Sequence, residues 1–166
     1  MRFHAVSGSA ARQRTECAIV GLYESGTLSA AASQLDAVLG GRIGRLVKRH
    51  DARGKLGECS LLDVDHAPCE RVLLVGLGKK ESFGRKQYKK AMLAAAAAVA
   101  KTGARDAVSF LSVEPVAATD TYYRGRLAAE SVGHALYRVP AIRSTRQPPV
   151  PALKSFGVAV TEKDQV

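Results

Sequence analysis

The order of apolar and polar positions along the chain predicts strands that alternate with helices. Short, mostly apolar stretches predict six strands, at 3–6, 17–23, 57–64, 71–77, 106–113 and 154–160. Most of these stretches lack polar residues at alternate positions, which is typical of strands covered on both faces. The clearest of them is CAIVGLY at 17–23.

Between the strands, apolar residues recur at helical spacing. Four helices are predicted, over 28–39, 42–50, 83–104 and 119–137. Thr27 or Ser29 can cap the first helix and Thr119 the fourth, while Gly103 is the expected stop of the third. The side of the third helix predicted to face inward consists of Tyr88, Met92, Ala95 and Val99.

This alternation predicts an α/β protein built on a layered sheet. The short first strand and the long loop at 139–152, which holds three prolines within four residues, indicate that the sheet is mixed. The chain stops six residues after the last predicted strand, from which we expect the front part of a longer protein.

Charge and composition indicate which partners and which cellular compartment to expect. Of the 166 residues, 25 are Lys or Arg and 15 are Asp or Glu, a formal net charge of +10. This excess favours an anionic partner such as DNA, although a solvated basic face or an acidic surface outside this chain would also account for it. The chain begins without an apolar signal core, and its longest apolar run, 91–100, is half of the ~20 residues that a membrane span needs. We therefore expect a cytoplasmic protein with no membrane contact.

The stretch RVLLVGLGKK at 71–80 looks like a strand that ends at a phosphate-binding turn. A dinucleotide turn has the pattern G-x-G-x-x-G, and Gly76 and Gly78 match its first two glycines, but Glu81 stands at the third position. A carboxylate there would lie beside any phosphate. The P-loop pattern also fails, because no Ser or Thr follows the two lysines at the required position. We predict instead that the two glycines form a tight exit from the strand.

Candidate metal ligands are few. Asp63, Asp65, His66 and Cys69 lie close together in DVDHAPC, but they mix hard and soft ligands, and no second group stands at a metal-binding spacing. A surface loop is the simpler interpretation. The other histidines are isolated, the three cysteines form no Cys-x-x-Cys pair, and no G-x-S-x-G or H-E-x-x-H pattern occurs. The residues therefore predict neither a catalytic side chain nor a metal ligand.

Two basic segments, 42–55 and 79–90, are the candidates for a binding surface. Each carries six basic residues against one acid, and three lysines of the second segment lie at i, i+3 and i+4 on one helical face. Such a face can contact several phosphates, although a solvated helix face has the same pattern. The twelve candidate nucleic-acid contacts are Arg42, Arg45, Lys48, Arg49, Arg53, Lys55, Lys79, Lys80, Arg85, Lys86, Lys89 and Lys90.

Several short motifs follow one another along the chain. They are VG in a strand that begins with Cys, LD in the first helix, GKLGE after a basic stretch, RVLLVGLGK, YKKA at a helix start, and GARDAVSFL. In this order they resemble the N-terminal domain of bacterial leucyl aminopeptidases, the cytosol aminopeptidase family. The resemblance covers nearly the whole chain, and VLLVGLGK is fairly specific in this company although weak alone.

The resemblance implies a three-layer α/β/α sandwich with a mixed sheet, similar to macro domains. It also implies a hexameric enzyme that removes N-terminal residues from peptides with two divalent metal ions, such as manganese or zinc. The metal ligands and catalytic residues of that family belong to its C-terminal domain, whose hallmark NTDAEGR is absent from this sequence. The resemblance therefore transfers no catalytic residue, metal ligand or bound cofactor to this chain.

We thus expect residues 1–166 to be a single non-catalytic N-terminal domain of a longer aminopeptidase. Its expected partners are its own C-terminal catalytic domain and the other subunits of a homo-hexamer, and its expected role is to shape the hexamer and access to the active site. Two alternatives stay open. One is a DNA-binding module that uses segments 42–55 and 79–90, since some bacterial members of the family bind DNA, and the other is a macro-like nucleotide binder.

Overall fold

The predicted strands form one mixed sheet in the computed structural model, which describes residues 1–65, 67–137 and 152–161. The strands of this described part are β1 (Arg2–Ser7), β2 (Thr15–Tyr23), β3 (Cys59–Asp63), β4 (Cys69–Gly78), β5 (Asp106–Ser109) and β6 (Ser155–Val160). They lie in the order β1-β6-β5-β2-β4-β3. All neighbours are parallel except β3, which runs antiparallel to β4 at one edge. The prediction of a mixed sheet is confirmed.

Helices cover both faces of this sheet. They are α1 (Ala30–Val38), α2 (Arg42–Lys48), α3 (Arg85–Val99) and α4 (Thr121–Leu136) in the described residues. α1 and α2 pack on one face, and α3 and α4 pack on the other. This arrangement is the expected three-layer α/β/α sandwich. None of the helices that the structure describes is long and apolar enough to cross a membrane.

The core on the α3 side is the larger of the two. The four residues of α3 predicted to face inward are all buried, with Tyr88 and Met92 fully enclosed. The alanines of α3 let its backbone approach the sheet closely, and each large apolar side chain that is fully buried contributes about 2 kcal/mol relative to an exposed one. On the opposite face, Leu35 of α1 and Ile43 of α2 fill the smaller core.

Of the two residues able to cap α1, Ser29 does so. Its hydroxyl oxygen accepts a hydrogen bond from Ala32 N at 3.1 Å and another from Gly21 N at 3.2 Å. The first bond satisfies a free N–H group of the helix start, and the second ties that start to β2. The position of α1 against the sheet is therefore fixed at its first turn.

The strand predicted at 106–113 is shorter than expected. β5 ends at Ser109, and the apolar residues after it form a 3-10 turn, Leu111–Val113. In this turn the Ser112 hydroxyl donates to Ala159 O at 2.6 Å. A hydrogen bond from the Ser112 side chain therefore connects this turn to β6, in place of the backbone hydrogen bonds that a longer β5 would form.

Two predicted helix ends also shift. α4 is capped by Asp120 and not by Thr119, because the Asp120 carboxylate accepts from Tyr123 N at 2.7 Å while the Thr119 hydroxyl donates back along the loop. α3 ends at Val99, before the expected stop at Gly103. The loop predicted at 139–152 lies almost entirely outside the described residues.

Candidate functional site

The glycine turn at the end of β4 is closed by the chain itself. Residues 54–58, which we term the closing loop, run across the carboxyl end of β4. Gly78 N donates to Gly54 O at 2.9 Å, and Gly76 N donates to Glu58 O at 2.7 Å. The N–H groups of both glycines are therefore bonded within the protein and are not available to a phosphate, which argues against a dinucleotide at this position.

Glycine is required at this turn because backbone meets backbone. A Cβ atom on Gly76 would lie 1.9 Å from Lys55 O, and one on Gly54 would lie 2.3 Å from Tyr23 O. Gly78 has a φ of 75°, in the left-handed region that favours glycine. The predicted tight exit is therefore confirmed at Gly78, the last residue of β4, whereas Gly76 lies two residues earlier within the strand and pairs there with Leu22.

A cleft at the carboxyl ends of β1 and β6 is the second place where a sheet of this kind could hold a ligand. Gly8, Phe110 and Val160 line it together with the first turn of α1. The N-terminus of a helix attracts anions. Behind this cleft, the buried Glu114 accepts a hydrogen bond at its Oε1 from Ala30 N at 3.0 Å, so a carboxylate of the protein already lies at that N-terminus and would repel a phosphate.

Glu114 is a buried carboxylate that joins three elements. It is 5% exposed, and besides its bond to α1 its Oε2 accepts from the Tyr23 hydroxyl at 2.8 Å. Burial, reinforced by this hydrogen bond, raises the pKa of Tyr23. The Tyr23 ring also packs edge-on against Phe83, and Lys80 Nζ lies 5.6 Å from its centroid. Sequence reasoning missed Glu114, for which the only sign is a lone acid within the apolar stretch LSVEPV.

All twelve basic residues of the two segments are exposed. In the part of the chain that the structure describes, none of them pairs with a carboxylate. The ion pairs found there are Glu70–Arg71, Glu16–Arg105 and Arg126–Glu130. Arg85 is nevertheless held in place, since its guanidinium donates to Ala118 O and lies 4.9 Å from the centroid of the Tyr123 ring.

The structure divides these basic residues between two faces of the sheet. Arg42, Arg45 and Arg49 line a groove between α2 and β3. Lys86 and Lys89 belong to α3, which lies on the opposite face of the sheet. Because the sheet separates α2 from α3, one flat surface cannot touch both groups.

Within the described residues, the two basic segments come together at one corner of the sheet. Arg53 and Lys55 lie beside or within the closing loop, and Lys79 and Lys80 directly follow β4. The bond from Gly78 N to the closing loop holds these two stretches together. Sequence reasoning identified the basic residues but not their division into an α2 group, an α3 group and this corner.

The cluster of Asp63, Asp65, His66 and Cys69 shows no metal site in its described part. Cys69 is buried at the start of β4, and burial raises the pKa of its thiol. Asp63 is exposed on β3, and His66 lies outside the described residues. Across the described ranges, no three His, Cys, Asp or Glu side chains are placed to hold a metal ion.

The fold places the protein in the class of macro-type α/β/α sandwiches. A Trypanosoma brucei macrodomain solved in complex with ADP shares it, with a TM-score of 0.67 and 15% identity over 98% of this chain and 65% of that one. A mutant of tomato leucine aminopeptidase is also similar, with a TM-score of 0.77 and 21% identity over 96% of this chain and 32% of that chain. At these identities the likeness shows the fold alone.

The sequence then gives the family. Residues 19–146 match the model of the N-terminal domain of the cytosol aminopeptidase family, and the chain belongs to that family. A probable cytosol aminopeptidase of Actinobacillus pleuropneumoniae serotype 5b (strain L20) is 40% identical over 147 residues. That match covers 88% of this chain and 30% of the relative, so the chain spans less than a third of the relative's length. The family resemblance of the sequence motifs is confirmed.

Proposed function

We propose that this chain is the non-catalytic N-terminal domain of a longer, metal-dependent aminopeptidase and that its role in the enzyme is structural. One observation carries the proposal: the chain matches an N-terminal domain and covers only 30% of a relative named as a probable cytosol aminopeptidase. On this proposal, the rest of the protein removes N-terminal residues from peptides. It also holds the two divalent ions, manganese or zinc.

The carboxylates of this chain support a non-catalytic role, because several of them hold the backbone together. Asp36 Oδ1 accepts from Ile43 N at 2.7 Å and from Gly44 N at 3.1 Å, which satisfies the first turn of α2. Asp106 Oδ1 accepts from Glu16 N at 3.3 Å, and its Oδ2 accepts from the Thr15 hydroxyl at 2.6 Å. Two-metal hydrolysis needs clustered carboxylates that are free to bind the ions, and these are engaged elsewhere.

The proposed structural role is to pack against the catalytic domain and against other subunits of a cytoplasmic homo-hexamer. The exposed basic faces of the described residues are surfaces that such contacts would use. An acidic surface on the partner would offset the formal net charge of +10.

Hydrolysis of leucine p-nitroanilide with added manganese tests the proposal. We expect no turnover by the 166-residue chain and turnover by the longer protein encoded at the same locus. Turnover that co-elutes with the isolated chain on gel filtration would contradict a non-catalytic role. Reading the parent gene beyond the codon for Val166 is an independent check. We expect it to encode a motif of the NTDAEGR type.

DNA binding is a second candidate function, favoured by the lysine face of α3. Lys86, Lys89 and Lys90 are exposed at helical spacing, and no carboxylate in the described residues pairs with them. Such a face can neutralise phosphates and release counterions. We expect duplex DNA to bind with micromolar or weaker affinity that falls steeply as salt is raised.

Charge reversal on each face tests the DNA role. We expect K86E/K89E/K90E to abolish binding in a mobility-shift assay while its circular dichroism stays that of the wild type. The matched variant R42E/R45E/R49E makes the same change in net charge on the other face and should keep most of the affinity. An affinity that is equal at low and high salt would exclude phosphate contacts as its source.

Nucleotide binding at the macro-type cleft is not favoured by the structure, because Glu114 occupies the N-terminus of α1. The expected result is that millimolar ADP-ribose or NAD leaves the melting temperature of the chain unchanged. A rise in melting temperature that depends on ligand concentration would reverse this conclusion.

A further inference from the structure

The outer edge of β3 lies beside a groove that the proposed function does not use. β3 is the last strand of the sheet and pairs only with β4 in the described residues. Four leucines, three arginines and one acid line the groove with their side chains or backbone: Leu39, Leu46, Leu61, Leu62, Arg42, Arg45, Arg49 and Asp63. An edge strand next to an apolar, basic groove has the two parts that strand addition needs.

The backbone of β3 offers hydrogen-bonding groups along this edge. The bonds from Gly76 N to Glu58 O and from Val64 N to Glu70 O show that the even-numbered residues of β3 bond to β4. In an antiparallel pair the alternate residues direct N–H and C=O to the other side. The residues that face outward are Cys59, Leu61 and Asp63.

The side chains of β3 define which residues an added strand would contact. Leu62 is buried beneath α2, whereas Leu61 points to the opposite face and is 48% exposed. Successive residues of an added strand would likewise point to opposite faces. One set would approach the arginines of α2, and the other set would lie over Leu61.

The three arginines of α2 are spaced to meet such a strand. Arg42 and Arg45 in α2 and Arg49, which caps its C-terminus, stand at i, i+3 and i+7 on one side of the helix and span about 10 Å along its axis. Alternate residues of an extended chain are about 7 Å apart, so two or three of them fit this span. No carboxylate in the described part of the chain pairs with these guanidinium groups, which can therefore bind carboxylates of a partner.

We propose that the outer edge of β3 and the arginine side of α2 bind an extended acidic segment of a partner protein as an added strand. In this segment, carboxylate residues facing α2 alternate with aliphatic residues facing Leu61. The interaction surface is separate from the lysine face of α3 and from any hydrolytic activity, so it can fail while the proposed function holds.

Charge and backbone chemistry favour this occupant over two others. A second copy of the chain would bring two sets of arginines together in a protein whose formal net charge is already +10. The phosphates of a nucleic acid would face the outward carbonyl oxygens of β3, which repel them. A peptide backbone supplies the N–H groups that those carbonyls need.

A labelled peptide, GEVEVEVG, tests the proposal by fluorescence anisotropy against the 166-residue chain. We expect a Kd on the order of 100 μM or tighter. The control GEEEVVVG has the same composition and charge without the alternation, and we expect it to bind at least about fivefold more weakly. Equal binding of the two peptides would overturn strand addition.

Two charge-reversed variants separate a specific site from general attraction. R42E/R45E/R49E should weaken GEVEVEVG by about tenfold, whereas K86E/K89E/K90E, with the same change in net charge, should alter its Kd by less than about twofold. An equal loss in both variants would overturn the proposal. The proposal would also be overturned if the peptide failed to bind and duplex DNA bound the wild type but lost affinity only in the α2 variant.

An amide shift map on the unmodified chain needs no variant to fold. Addition of GEVEVEVG should move the backbone amide signals of Cys59, Leu61 and Asp63 more than those of the α3 lysines. Shifts confined to α3 would overturn the assignment of the site to β3. A dimer seen by light scattering that dissociates in Leu61→Lys would assign the edge to a second copy and would also overturn it.

Discussion

The backbone polar groups are bonded within the protein in one part of this molecule and face outward in another. At the carboxyl end of β4, the closing loop bonds the N–H groups of Gly76 and Gly78 and packs so tightly that only glycine fits. Along β3, the outer N–H and C=O groups face away from β4, and the basic side chains of α2 beside them are exposed. The carboxyl end of β4, a place where α/β proteins commonly bind ligands, is thus closed, and the exposed basic and edge-strand surfaces lie at the side of the sheet.

Breaking the closed end gives the largest expected effect. In Gly76→Ala, the new Cβ would lie 1.9 Å from a backbone oxygen of the closing loop, so the loop must move and its bonds to β4 must break. We expect the free energy of unfolding to fall by about 3 kcal/mol or more, measured by urea denaturation. Gly103→Ala is the control, because no atom beyond its chain neighbours lies within 4 Å of its Cβ position, and it should change stability by less than about 0.5 kcal/mol. Similar small losses of stability in both variants would show that the closing loop can move at little cost in free energy.

Removing the buried carboxylate gives the next largest effect. Glu114→Ala leaves the Tyr23 hydroxyl and Ala30 N without their acceptor inside the protein. We expect a loss of about 2 kcal/mol, again from urea denaturation. Glu130→Ala, which breaks the exposed pair with Arg126, should cost less than about 0.5 kcal/mol. Equal losses of stability in the two variants would mean that Glu114 is solvated and that water reaches this end of the sheet.

The Tyr23 hydroxyl gives a smaller effect that depends on pH. Burial raises the pKa of Tyr23 above its value of about 10 in the unfolded chain. Above pH 10 the unfolded state loses this proton while the folded state keeps it, so the free energy of unfolding falls as pH rises. Tyr23→Phe should cost about 1 kcal/mol at pH 7 and should make the fall above pH 10 shallower.

Urea midpoints at pH 7, 9 and 10.5 measure this difference. Tyr122→Phe, which changes a ring that is 78% exposed, is the matched control and should leave stability at pH 7 unchanged. If Tyr23→Phe lost stability as steeply as the wild type above pH 10, the Tyr23 hydroxyl would contribute nothing to that fall.

The sequence predicted the elements well because their patterns are strong. Continuous apolar runs at 17–23 and 71–77 identify central strands, and the spacing from Tyr88 to Val99 identifies α3. The run at 106–113 was misassigned because apolar residues suit a strand and a buried 3-10 turn equally, and only the contact of Ser112 with β6 distinguishes them.

The site was predicted less well because it depends on contacts between distant segments. Gly76 and Gly78 were identified as a tight exit, but the closing loop that bonds them comes from 54–58. Glu114 has the residue type of a surface position and is buried only because Tyr23 and α1 converge on it. The division of the basic residues between two faces follows from the order of strands in the sheet, which no local pattern encodes.

The smallest expected effect is on the exposed basic faces of α3 and α2, which we term the open side. Charge reversal there should hardly alter stability. K86E/K89E/K90E removes no hydrogen bond or ion pair of the described residues and lowers the repulsion in a chain of formal net charge +10. Its free energy of unfolding should stay within about 0.5 kcal/mol of the wild type. R42E/R45E/R49E should be slightly less stable, because Arg45 Nη1 donates to Gly40 O at 2.8 Å. A loss above about 1 kcal/mol in the lysine variant would give those side chains a structural role and would remove the contrast between the closed end and the open side.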